Sequence, residues 1–291
     1  MDHAAPPLLE GAGPVNHCTP WGGGASSARM TPWPQPFPAD PVLIAAGAAG
    51  FAALGSFLGA AQARLGAALD DEPTYATSSF WRGRSICPAC GEALAARDLV
   101  PVLSWLALGR RCRRCEAPIP PDYAAVEIGS VLAFLAAFWA GGSWPSVLLT
   151  GVLGAVLAAL IVVDLRRQLL PDPLVLPLLP LGLLQAWLTG GDLVAATAGA
   201  VFGGGLLWLV RVLFRRLRGI EGLGLGDVKL MAAGGAWVGL PGVGPVLLAG
   251  ALATLAAVGV AFLAGQRTGL ATRIPFGPGL AFGIFVVTLL R

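Results

Sequence analysis

The chain has 291 residues, of which 56% are hydrophobic and only 12% are charged, and its formal net charge is +3. A soluble domain carries roughly 25% charged residues, so the composition argues against a soluble protein and indicates an integral membrane protein. The positive charge comes almost wholly from arginine, since Lys229 is the only lysine, and it gives no indication of a nucleic-acid partner.

Residues 1–40 differ from the rest of the chain because they are rich in proline and glycine and contain no apolar span. This composition is typical of a disordered tail. The segment lacks the charged start, apolar run and cleavage site of a signal peptide. Translation beginning at Met30 is the alternative interpretation of this segment.

Eight stretches approach the 20 or so apolar residues with which a helix crosses a hydrocarbon core of about 30 Å. They cover residues 41–63, 124–140, 147–164, 173–189, 193–214, 228–241, 244–264 and 275–290. We therefore predict an all-α polytopic membrane protein with about eight transmembrane helices. The first span, 41–63, precedes a large loop, 64–123, and the remaining spans form a membrane catalytic domain at 124–291.

The basic residues are distributed asymmetrically about these spans. Counted with the adjoining helix ends, four loops contain 17 of the 19 Arg and Lys residues, and only Arg29 and Arg291 fall on the other side. These loops are 64–123, 165–172, 215–227 and 265–274. The positive-inside rule places them in the cytoplasm and both termini outside.

Four cysteines in the large loop have the spacing of a metal site. Cys87 and Cys90 form one CxxC pair, Cys112 and Cys115 form another, and 21 residues separate the pairs. Two such pairs predict a tetrahedral zinc site of four thiolates. The alternatives are two disulfides or four free buried thiols, and a cytoplasmic loop, which lies in a reducing compartment, disfavours disulfides. With four protein ligands the zinc would be structural, and Cys18 is left without a predicted role.

Two aspartates lie where apolar spans meet arginine-bearing loops. Asp164 ends the run VLAALIVVD, and Asp227 follows GLGLG and begins the next span, so both are predicted at the cytoplasmic end of a helix. An ionised aspartate at a helix centre in a membrane costs roughly 2.5 to 3.5 kcal/mol, which makes such residues functional candidates. Two structural alternatives remain at this point: Asp227 as a helix N-cap, and Asp164 as the partner of Arg166 or Arg167.

The two aspartates together offer the chemistry of amide hydrolysis. Two carboxylates in one low-dielectric site repel each other, so one is protonated and the other ionised near neutral pH. The pair then supplies a general acid and a general base. Both histidines, His3 and His17, lie in the tail outside, which argues against a Ser-His or Cys-His hydrolase.

Several ordered blocks resemble the prepilin peptidases, the bacterial type 4 leader peptidase family of GxGD membrane aspartic peptidases. The blocks are GSFLGAAQARL at 55–65, the cysteine-containing segment at 85–127, DLRRQLLPD at 164–172, GLGLGDVKLMAAGGAWVG at 222–239 and IPFGPGLAFG at 274–283. The resemblance implies that Asp164 and Asp227 are the catalytic residues. It also implies that Asp172 is a helix-start residue after Pro171.

The resemblance further implies a substrate and a location. Family members act in the bacterial inner membrane, with the active site facing the cytoplasm. They remove the leader of type IV prepilins or type II secretion pseudopilins, and many methylate the new N-terminus with S-adenosylmethionine, whose binding residues the sequence leaves unknown. Glu127 matches a glutamate of the family and either assists methyl transfer or pairs with an arginine.

The sequence departs from the family pattern at three places in its N-terminal part. Gly59 replaces an asparagine, Gly109-Arg110 inverts the usual Arg-Gly order, and Ala124 replaces a proline. None of these positions is one of the two aspartates, so cleavage is the firmer expectation and methyl transfer the weaker one. The alternatives are a GxGD peptidase for another pilin-like substrate without methyltransferase activity, a proton-coupled transporter and a zinc-knuckle scaffold without catalysis.

Overall fold

A computed structural model of the chain describes residues 40–69, 85–87, 89–219, 222–265 and 275–291. The predicted tail, apart from Asp40, and the predicted loop at 265–274, apart from Gly265, lie outside the described residues. Regular structure in the described residues is helical, and pairing between extended segments is limited to two isolated bridges. The α-helices are α1 (Pro41–Leu69), α2 (Leu103–Ala107), α3 (Asp122–Ala140), α4 (Trp144–Arg167), α5 (Asp172–Val175), α6 (Leu178–Leu188), α7 (Leu193–Arg218), α8 (Leu225–Leu263) and α9 (Gly277–Leu289).

Five of these helices, α1, α3, α4, α7 and α8, are long and apolar enough to cross a membrane, and Asp172–Leu188 and α9 are shorter apolar helices. Large apolar side chains point outward from the long helices: Val201 on α7 is 76% exposed and Leu263 on α8 is 86% exposed. Such surfaces require a lipid environment. The predicted all-helical membrane protein is therefore confirmed, whereas the count of eight spans is not.

The predicted spans 228–241 and 244–264 join in the single helix α8, but the chain reverses within it. Gly239 has φ 59° and ψ 177°, which breaks the helix. A Cβ added at Gly234 would lie 2.5 Å from Ile284 Cδ1, and one added at Gly250 would lie 3.2 Å from Leu280 Cα. A straight helix would separate Gly234 and Gly250 by about 24 Å, so the two halves of α8 fold against the same short helix.

The helices pack in an order that brings the predicted cytoplasmic ends together. α3 packs between α1 and α4, α7 packs along α8, and α9 contacts both α4 and α8. Glycines line the α7–α8 interface, where a Cβ at Gly203 would lie 3.1 Å from the Met231 carbonyl oxygen. Small residues at this interface allow close approach of the two helices, as is common within membranes.

The described part of the large loop, residues 85–87 and 89–121, contains two turns of the same construction. In each turn the residue after the second cysteine adopts a positive φ, 71° at Gly91 and 56° at Glu116. The N–H of that residue donates to the carbonyl of the first cysteine, Cys87 in one turn and Cys112 in the other. A 3-10 turn (Ala96–Leu99) and the short helix α2 connect the two turns.

Candidate active site and cysteine cluster

Asp164 and Asp227 come from different helices and are both buried. Asp164 lies in the last turn of α4, which ends at Gln168 in the left-handed conformation, and Asp227 lies in the first turn of α8. The two residues are 6% and 8% exposed, respectively. Carboxylates are seldom buried to this extent unless they have a functional or electrostatic reason.

The two carboxylates meet at the beginning of α9. A Cβ added at Gly277 would lie 2.5 Å from Asp164 Oδ2 and 3.4 Å from Asp227 Oδ1. Both oxygens therefore lie within 3.4 Å of one point, beside a residue that has no side chain. Two buried carboxylates at this separation repel each other unless one of them carries a proton.

The structure bears on the N-cap alternative for Asp227 and on the pairing of Asp164 with Arg166. The N-cap of α8 is Gly224, and Asp227 is the third residue of the helix, although its carboxylate still bonds to the backbone N–H of Gly224. Arg166 pairs with Asp122 at 2.7 Å. The N-cap interpretation of Asp227 is therefore wrong, and Arg166 is engaged by an acid other than Asp164.

Two other charged residues of these blocks, Asp172 and Lys229, form an ion pair with each other. Asp172 begins α5 after Pro171, as predicted, and its carboxylate accepts hydrogen bonds of 2.7 and 2.8 Å from Lys229 Nζ. The pair connects the first residue of α5 to the second turn of α8. It therefore holds together the two segments that carry Asp164 and Asp227. Lys229 is distinctive in the sequence because it is the only lysine, but the sequence does not indicate that Asp172 is its partner.

The four predicted metal ligands form one cluster. The sulfur atoms of Cys87, Cys90, Cys112 and Cys115 all lie within 4.8 Å of one another, and Cys87 Sγ and Cys115 Sγ are 3.8 Å apart. A tetrahedral zinc site with Zn–S distances of about 2.3 Å requires sulfurs about 3.8 Å apart. All four thiols are free rather than paired in disulfides, so the donor set fits a tetrahedral thiolate metal site.

Hydrogen bonds and ion pairs hold the cysteine turns in place. The backbone N–H groups of Cys115 and Arg114 lower the pKa of the Cys112 thiol to about 7. Arg113 Nη2 lies 2.8 Å from Asp98 Oδ1, and the hydrogen bond from Arg113 lowers the pKa of Asp98 below its ordinary value. Arg114 pairs with Glu92 of the first turn. The second turn is thereby tied to the first turn and to the 3-10 turn.

A cavity lies between the cysteine turns and the ends of α1 and α3. The volume of this cavity is about 120 Å³, which is roughly ten times the volume that one buried water requires. Its lining includes two buried charged residues, Arg64 and Glu127, which are 6% and 7% exposed. The Glu127 carboxylate accepts a hydrogen bond of 2.7 Å from the N–H of Val102.

These features define a class of protein: a multi-pass membrane protein with a buried pair of aspartates at one end of its helix bundle. Comparison with family models identifies a family within this class. Residues 50–141 match the bacterial Peptidase A24 N-terminal domain, and residues 151–262 match the type IV leader peptidase family. The chain belongs to the type IV leader peptidase family, as the ordered sequence blocks predicted.

Curated relatives named prepilin leader peptidase/N-methyltransferase agree with this assignment. The protein of Burkholderia pseudomallei strain 1026b is 41% identical over 219 residues, 75% of this chain and 71% of the relative. That of Aeromonas hydrophila is 40% identical and covers 75% and 74% of the two chains. The protein of Pseudomonas aeruginosa strain PAO1 is 38% identical and covers 79% of both. No solved structure matches this chain.

Proposed function

We propose that this protein is a membrane aspartic endopeptidase that removes the leader peptide of type IV prepilins or type II secretion pseudopilins. The observation that carries the proposal is the convergence of Asp164 and Asp227 beside Gly277. Membership of the leader peptidase family supports the substrate class. The relatives at about 40% identity bear the name of the same activity.

The acid pair supplies both proton transfers that peptide hydrolysis needs. The ionised carboxylate accepts a proton from water as the water oxygen attacks the scissile carbonyl carbon. The protonated carboxyl group hydrogen-bonds to the carbonyl oxygen, and a proton is then delivered to the leaving nitrogen. Burial strengthens these interactions because the local dielectric is low.

The proposed topology has eight membrane crossings and the acid pair at the cytoplasmic face of the bacterial inner membrane. Its support is the distribution of basic residues and the length of α8, which has 39 residues. Such a helix would extend about 58 Å if straight, nearly twice the hydrocarbon thickness. Two crossings that meet at Gly239 resolve this mismatch. A prepilin whose apolar helix lies in the bilayer then presents its leader junction at the depth of the aspartates.

The cysteine cluster is proposed to hold a structural zinc ion. Its sulfur spacing suits zinc, and the four protein ligands leave no coordination position for a substrate. When bound, the ion would fold the loop between α1 and α3 and take no part in the hydrolysis.

N-methylation of the new N-terminus with S-adenosylmethionine is proposed as the second activity, supported by the names of the relatives. Two competing functions make different predictions. A peptidase for another pilin-like substrate would cleave without methylating. A proton-coupled transporter would use the aspartates as ion sites and would cleave nothing.

Co-expression with a prepilin tests the proposed cleavage. We expect Asp164→Asn and Asp227→Asn each to reduce leader removal by about 10²-fold or more, because each removes one half of the acid-base pair. Leader removal is measured by the gel shift of the prepilin. Mass spectrometry of the mature N-terminus then detects a methyl group.

Asp192→Asn is the matched control. Asp192 caps the N-terminus of α7, where its carboxylate accepts from the N–H groups of Val194 and Ala195, and asparagine serves equally well in that position. This variant should cleave like the wild type. Full processing by either Asp164→Asn or Asp227→Asn would refute the paired mechanism.

A further inference from the structure

We propose that Arg211 is a positioning residue for cleavage, because it fixes the backbone peptide group that orients the Asp227 carboxylate. The inference rests on the proposed peptidase function and adds to it a residue outside the acid pair. Arg211 lies on α7, outside the ordered sequence blocks that carry the family resemblance. Its role therefore follows from contacts in the structure.

Arg211 differs from the other three arginines of α7 in where it lies. Arg215, Arg216 and Arg218 are exposed at the end of the helix, whereas Arg211 is partly buried and lies seven residues before that end. Seven residues correspond to about two helical turns. A cationic side chain set back into an apolar helix is costly, which makes it a functional candidate.

The end of α7 contacts the segment that leads into α8. Arg211 donates a hydrogen bond of 3.0 Å from Nη1 to the Leu223 carbonyl oxygen. About one turn further along α7, the Phe214 ring packs on the preceding residue, since a Cβ added at Gly222 would lie 2.5 Å from Phe214 Cδ1. Two side chains of α7 therefore hold two successive residues of this segment, and with them the peptide group that joins Leu223 to Gly224.

This one peptide group links Arg211 to Asp227. The Leu223 carbonyl and the Gly224 N–H belong to the same planar trans peptide and point in opposite directions. The N–H bonds to the Asp227 carboxylate, whose Oδ2 lies 3.2 Å from the position that a Cβ of Gly224 would take. Arg211 therefore binds one side of the peptide group and Asp227 the other. Hydrogen bonds in such a chain polarise and strengthen one another.

The two oxygens of Asp227 face different groups. Oδ2 lies beside Gly224, whereas Oδ1 lies beside Gly277, where Asp164 Oδ2 also lies. Because the peptide group anchors Oδ2, it limits rotation of the carboxylate and presents Oδ1 to Asp164. Such geometry matters for the rate, since a misplacement of about 1 Å can lower it by about 10²-fold. Arg211 supports cleavage through this orientation and does not contact the reacting atoms.

Steady-state cleavage of a purified prepilin by full-length protein in lipid nanodiscs tests the role of Arg211. We expect Arg211→Met to lower kcat by about threefold to thirtyfold and to leave KM within about twofold, because it disturbs the orientation of Asp227 and not substrate binding. Arg211→Lys keeps a cationic donor and should retain at least about half of the wild-type kcat. Arg216→Met is the matched control, because it removes an exposed arginine of the same helix, and it should cleave like the wild type.

Amide hydrogen exchange at Gly224 is a second measurement, and it does not depend on turnover. In Arg211→Met the exchange should be faster by at least about tenfold, because the peptide group loses one of its two hydrogen bonds and opens more readily. Exchange in Arg216→Met should match the wild type. Thermal unfolding establishes that each variant is folded before its kcat or its exchange rate is interpreted.

A wild-type kcat in folded Arg211→Met would overturn the inference, and so would unchanged exchange at Gly224. An Arg211→Lys variant as slow as Arg211→Met would overturn it too, because a cationic donor at this position would then not be what cleavage requires. Failure of the proposed peptidase function is distinguishable. In that case wild-type protein leaves the prepilin uncut, or Asp164→Asn and Asp227→Asn still process it, while hydrogen exchange continues to report on the contact of Arg211.

Discussion

Gly277 shows how one residue without a side chain permits the acid pair. It is the first residue of α9, and its Cα lies where the carboxylates from α4 and α8 approach each other. A larger residue would occupy the volume that a substrate carbonyl and the attacking water need. The close approach, rather than an unusual backbone angle, requires glycine here.

Gly277→Ala should therefore reduce prepilin cleavage by about tenfold to a hundredfold while the protein remains folded. The added methyl carbon would lie 2.5 Å from Asp164 Oδ2 and would therefore displace this carboxylate. A misplacement of about 1 Å can lower the reaction rate by about 10²-fold. Cleavage rate and thermal unfolding are the measurements. Gly259→Ala is the control, because its methyl group would meet nothing within 4 Å. Unchanged cleavage by Gly277→Ala would contradict the site geometry.

At the scale of elements, the two cysteine turns act as one unit. Each turn presents one buried and one exposed cysteine, with Cys87 and Cys112 buried, and ion pairs connect the second turn to the rest of the loop. The described loop contributes few large apolar side chains to the core. We therefore expect the stability of this unit to depend on the proposed zinc ion.

Purified protein should contain about one zinc per chain, and Cys112→Ser should lose most of it, because three thiolates bind zinc far more weakly than four. Elemental analysis measures the metal. Limited proteolysis should then show faster cutting between α1 and α3. The control is Cys18→Ser, a substitution outside the described residues, and this variant should retain the zinc. Full zinc in the Cys112→Ser protein would exclude this cluster as the site.

At the scale of the whole molecule, the reversal at Gly239 decides the topology. Both halves of α8 pack against α9, and Arg291 donates to the Val238 carbonyl next to the break. The break leaves backbone groups without their helical partners, and within a membrane protein such groups must be satisfied by other protein groups.

Reporter fusions test this topology. Alkaline phosphatase is active only outside the cytoplasm, so we expect activity for fusions after Gly142, Gly191 and Gly242 and none after Gln168 or Gly219. The first three positions lie at the end of the bundle opposite the aspartates. An inactive Gly242 fusion would mean that α8 does not cross the membrane twice.

The sequence alone determined the properties that depend on residue type and local spacing. Apolar runs predicted the helices, because a helix in lipid must be apolar along its length. Two CxxC pairs predicted the four-cysteine cluster, because each pair presents two sulfurs from one turn. Asp164 and Asp227 could be selected because acids are scarce in such spans.

Only the tertiary structure decided which distant groups meet. Gly277 lies 50 residues beyond Asp227 in sequence, and no local pattern indicates that α9 brings it between the carboxylates. The pairs Asp172–Lys229 and Val102–Glu127 likewise join separate helices or loops. The reversal at Gly239 was predicted only as two adjacent spans, without their shared contact to α9. These features arise from helix packing, which depends on the shapes of several nonadjacent surfaces at once, whereas apolarity and ligand spacing are properties of one segment.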